Sequence, residues 1–164
     1  MVKIACCFLL ASGLAFGQTQ PSPEQIKKDL AALQNSVGEV IHGTVPGWGT
    51  LQTANGSYLE GYGLVVTVEV AFETPRNPFS GLKSPENVRS TVNQRSKDVL
   101  EKLTNVLKQR VPGLNSLAAT ESAAVILYVL NTNPADLPDL ASHIVLSVKK
   151  QDAASGRISI KEYK

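Results

Sequence analysis

The chain has 164 residues, with 16 Lys and Arg against 14 Asp and Glu, a formal net charge of +2 and two cysteines. Its length suits one domain with one core. The cations are dispersed, with only Lys27-Lys28 and Lys149-Lys150 adjacent, so the balance argues against nucleic acid or an anionic membrane surface as partner.

Residues 1–17 have the layout of a cleaved secretory signal peptide. Lys3 precedes an apolar run over 4–16, and Ala15 and Gly17 place small residues at the −3 and −1 positions before Gln18. The run is too short for a permanent bilayer span, and no later segment reaches the required length. Cleavage after Gly17 removes Cys6 and Cys7 and, with Lys3, lowers the formal charge to about +1. The expectation is a secreted or periplasmic protein without disulfides, lipid anchor or stable membrane span. Residues 18–21 read as a disordered start and 22–164 as a single α+β domain.

Ser22-Pro23 opens the first helix, with Ser22 as N-cap, Pro23 at the first helical position and Gln25 placed to complete a capping box. Ile26, Leu30, Leu33 and Val37 share one helical face, and Gly43 and Pro46-Gly47 end the helix soon after Ile41. The period then changes. Residues 48–54 and 57 onward read as strands joined at Asn55-Gly56, a strong hairpin signal because both residues tolerate positive φ. Over 64–72 the alternation is clean, with Leu64, Val66, Val68, Val70 and Phe72 on one face. Gly61 and Gly63 at its start suggest a bulge or a close backbone approach.

Residues 74–85 form a proline-rich loop, and Ser84-Pro85 repeats the helix-start chemistry. Val88, Val92, Val99, Leu103 and Val106, widened by Leu100 and Leu107, make the buried stripe of a second helix that Pro112-Gly113 ends. Residues 123–130 are apolar on both faces, which predicts a central strand covered on both sides. Residues 142–150 and 157–163 alternate again, and 153–156 link them as a hairpin loop. In these strands Ile144, Leu146, Val148, Ile158 and Ile160 point inward.

The predicted fold is therefore a two-layer α+β domain, a mostly antiparallel five-stranded sheet packed with two helices, in the order α-β-β-α-β-β-β. This element order is similar to that of small roadblock, longin and profilin-like modules, a likeness of topology that implies no function.

Chemistry is sparse. His42 and His143 lie far apart, with no second histidine at ligand spacing, so no metal or other cofactor is expected. Asn131, Asn133, Asp136 and Asp139 offer calcium-type oxygens in one loop, but prolines interrupt it and an Asx-rich turn explains it. His42 reads as a helix-end cation. No nucleophile elbow or phosphate loop occurs. The catalytic candidates are Glu60, Glu69 and His143, two strand carboxylates and a strand-end imidazole. The binding candidates are Trp48, Tyr58 and Tyr62 around the first hairpin, and Val125, Leu127, Val129 and Val145, read as outward residues too apolar to stay solvated. The leading expectation is an exported, non-catalytic binding or assembly module, with a protein partner or a second copy docking on the sheet. The alternatives are a small extracytoplasmic hydrolase acting on peptide or glycan, and a small-ligand sensor domain.

Overall fold

The computed structural model describes residues 21–45, 49–73, 84–132 and 134–164. The expected signal peptide and Trp48 lie outside the described residues. Within them run α1 (Pro23–Thr44), β1 (Asn55–Leu59), β2 (Gly63–Val70), α2 (Pro85–Arg110), β3 (Ser122–Val129), β4 (His143–Lys149), the single turn α3 (Lys150–Ala153) and β5 (Ser159–Tyr163). The sheet order is β1-β2-β3-β4-β5, with every adjacent pair antiparallel except β2 and β3. That parallel pair follows from α2, which carries the chain back so that β3 starts beside the start of β2. The α+β class, the element order and the mostly antiparallel sheet agree with the sequence reading.

Both long helices begin as their sequences dictate. Ser22 Oγ accepts the backbone N–H of Gln25 at 3.2 Å, and Ser84 Oγ accepts that of Asn87 at 3.3 Å. The capping box is incomplete, because the Gln25 side chain turns forward and donates to Asp29 Oδ1 at 2.7 Å. Leu33, Val37 and Ile41 of α1 and Val92, Val99, Leu103 and Leu107 of α2 are fully buried. They pack on Leu64, Val66, Val68 and Val70 of β2, Ala123, Val125, Leu127 and Val129 of β3, and Ile144, Leu146 and Val148 of β4. Both helices thus lie on one face of the sheet. No helix among the described residues is long and apolar enough to cross a membrane.

Asn55-Gly56 is not a turn. Both residues belong to β1, and the hairpin turns over 60–62, entering β2 through Gly63. Glycine is needed at 56 because α1 crosses there: a Cβ would come within 2.6 Å of Leu30 Cδ1. Gly63 has a φ of +122°, and a Cβ there would collide with the carbonyl oxygen of Ser122 on the parallel neighbour. Of the strand expected over 48–54, the described part contributes one bridge, Thr50 to Val70. The linker after β4 holds the turn α3 rather than a plain hairpin loop.

Candidate functional site

Pleating divides the sheet into a face under the helices and an open face. The register lines up four rows across the open face: Leu59, Gly63, Ser122 and Lys149; Ser57, Val65, Ala124, Ser147 and Ser159; Asn55, Thr67, Ile126, Val145 and Lys161; and Glu69, Tyr128, His143 and Tyr163. The two middle rows are small or β-branched apart from their ends, so the surface is flat. Val65, Thr67, Ile126, Val145 and Ser147 are half-buried by one another, and among the described residues no element lies across them.

This arrangement corrects the strand faces read from the sequence. Val125, Leu127 and Val129 lie beneath the helices and are buried, and only Val145 of that group stands on the open face. β3 is central but is covered on one side only. Because 123–130 is apolar at both parities, the register with β2 decides which set faces the helices. The residues the sequence reading passed over on the open face are Val65, Thr67, Ala124 and Ile126.

The fourth row forms one rim of the open face. The Tyr128 and His143 rings meet edge-on, with centroids 4.8 Å apart and planes at 73°. Ser142 Oγ donates to the carbonyl oxygen of Tyr163 at 3.1 Å and lies 2.8 Å from His143 Nδ1. Tyr128 and Tyr163 remain 41% and 50% exposed.

The three catalytic candidates are not brought together. Glu69 and His143 share a row but stand two strands apart, about 10 Å at sheet spacing, with Tyr128 between them. Glu60 lies in the turn before β2, and Glu69 near the far end of that strand, about 20 Å along it. Among the described residues no group of three or more His, Cys, Asp or Glu side chains converges. In the loop after β3, Asn131 Nδ2 donates to the Leu137 carbonyl at 2.7 Å, and Arg89 Nε donates to the Asp136 carbonyl at 2.8 Å. Those contacts fold the loop onto α2.

The hairpin tyrosines serve different ends. Tyr58 is half-buried on the helix side, where its hydroxyl donates to Glu121 Oε1 at 3.1 Å. Glu121 Oε2 accepts the backbone N–H of Ala118 at 2.8 Å, so this carboxylate anchors the loop before β3. Burial, then the Glu121 hydrogen bond and the negative charges of Glu121 and Glu60, raise the Tyr58 phenol above its usual 10.0. Tyr62, in the turn, is 41% exposed.

A second surface lies on the helix side. Five strands span about 24 Å, whereas two helices about 10 Å wide cover about 20 Å. α1 packs over β1 and β2, and α2 reaches β4, so β5 is left without a helix. The sequence reading placed Ile160 inward. It is on the inward face, yet it is 44% exposed because, among the described residues, no helix lies over it. A trough of about 680 Å³ results. Leu100, Leu140, Ile144 and Ile160 line its apolar part, with Lys97 and Glu101 on the α2 wall and Asp139 and Glu162 opposite.

Against known proteins, no family model, curated protein or solved structure matches the chain.

Proposed function

We propose that this chain is a non-catalytic assembly module acting outside the cytoplasm, and that it docks through the open face of its sheet onto a second copy of itself. The observation that carries this reading is the pair of middle rows on that face. Val65, Ala124, Thr67, Ile126 and Val145 form one flat patch at its centre, flanked by the serines and by Lys161. Apolar sheet faces of this kind pack against another sheet at about 10 Å, with side chains interdigitating. The face measures roughly 24 Å by 20 Å in plan. That is about 480 Å² in plan, which places it at the small end of protein interfaces, below the ~800 Å² per partner of a standard one. The extracytoplasmic setting rests on the sequence pattern of residues 1–17.

The hydrolase reading has no comparable support, since Glu60 lies in the turn before β2 while Glu69 and His143 stand two strands apart. The test of the assembly reading is light scattering on the protein at tens of micromolar, combined with amide mapping. A dimer mass with signals of Thr67, Ile126 and Val145 broadening as concentration rises is the expected result. A strict monomer with unchanged signals rejects the reading.

A further inference from the structure

We propose that the free edge of β5, together with the trough between β5 and α2, binds an extended peptide segment as a sixth strand.

Among the described residues no strand lies beyond β5, and every residue of β5 is exposed. Alternate residues of such an edge present both an N–H and a C=O with no ladder partner. Those groups are satisfied in register by another extended backbone, which makes a strand the matching occupant. The side chains agree. On the trough side, Ile160 lies open beside Ile144, Leu140 and Leu100, where the helix layer stops short. An added strand sends every second side chain to this face, where apolar groups cover Ile160 and extend the core.

Charge narrows the chemistry further. Ile160 and Glu162 point to the trough side and Lys161 to the open side. An antiparallel strand read from its N-terminus therefore meets Glu162, Lys161 and Ile160 in that order. Cross-strand complementarity calls for a basic residue, an acidic residue and an apolar residue in succession. The ligand class is an extended peptide with the pattern basic–acidic–apolar and a second apolar residue two positions on.

The test uses the ¹⁵N-labelled protein and a capped hexapeptide, threonine-lysine-glutamate-valine-threonine-valine. A control peptide is methylated on the backbone nitrogens of its glutamate and valine. One of two consecutive nitrogens must face β5, so the control loses a ladder hydrogen bond whatever the strand's parity. The expected result is saturable shifts of the amides over 159–163 and of Leu100 and Leu140. The methylated peptide should bind at least tenfold more weakly, and Ile160→Glu should weaken binding at least fivefold. Ile160 is 44% exposed and lies outside the buried core, so that variant should fold. Lys161→Glu should weaken the original peptide and favour one with lysine in place of the glutamate. Val65→Lys, on the open face and three strands away from β5, should leave peptide binding unchanged while acting on self-association. The proposal is overturned by no shifts at millimolar peptide, by equal binding of the methylated control, or by shifts confined to Thr67, Ile126 and Val145.

Discussion

Asp29 in the first helix accepts a 2.7 Å hydrogen bond through Oδ2 from the backbone N–H of Ser116, 87 residues further along the chain. Both residues are buried, at 6% and 1% exposure. The carboxylate therefore pins α1 to the loop that returns the chain from α2 to β3, and its other oxygen is held by Gln25. Asp29→Ala strands the Ser116 N–H inside the protein, beside a Ser116 hydroxyl that has no partner among the described residues. The cost should be about 1–3 kcal/mol, a fall in Tm of roughly 4–12 °C for a domain of this size. Asp29→Asn keeps an acceptor for Ser116 and should cost less. Thermal unfolding followed by circular dichroism checks both values.

Gly63 and Gly56 should respond unequally to the same change. Gly63→Ala combines a positive φ with a collision against the backbone of β3, which cannot move without breaking the parallel ladder. It should destabilise by more than about 3 kcal/mol or prevent folding. At Gly56 the new methyl meets side-chain atoms only, Leu30 Cδ1 and Cγ and Gln34 Cδ, and side chains can change rotamer where a backbone cannot. Gly56→Ala should therefore cost about 1–2 kcal/mol. Urea denaturation of the two variants reads the difference. Equal costs would mean that the close approach of β2 to β3 is not what requires glycine.

The Tyr58 phenol should titrate later than an ordinary tyrosine. Its folded-state pKa lies above 10.0 because burial, then the hydrogen bond and charge of Glu121, disfavour the anion. The folded chain thus holds this proton more tightly than the unfolded chain does. The stability gained is complete below pH 10 and is lost as pH rises through the folded value. Tyr58 should give a late component in an absorbance titration. Tyr58→Phe should remove that late component, and Glu121→Gln should move it back toward 10.0. A titration unchanged by both substitutions contradicts the assignment.

How much of this was legible in the sequence varies with the physics of each part. The helices were readable because Ser22-Pro23 and Ser84-Pro85 are local chemistry, and the 3.6-residue stripes need only one chain segment to be seen. Gly56 was misread because its role is tertiary: it lets Leu30 approach, a contact that no neighbouring residue announces. The open face was misplaced at Val125, Leu127 and Val129 because Ala124 and Ile126 are as suited to burial as they are. A one-residue shift in pairing exchanges two apolar faces, and only the β2 register settles it. The trough had a signal that went unused. Two helices cannot roof five strands, so one strand had to be left bare, and exposed Ile160 marks it.

Self-association through the open face is tested most directly by sedimentation velocity on three proteins at about 50 µM: the unsubstituted chain, Val145→Lys and Ile160→Lys. Val145 lies in the middle of the open face, whereas Ile160 borders the trough on the opposite side. The unsubstituted chain and Ile160→Lys should sediment as dimers, and Val145→Lys as a monomer. A monomer for the unsubstituted chain, or a dimer that survives Val145→Lys and is lost in Ile160→Lys, contradicts self-association through the open face.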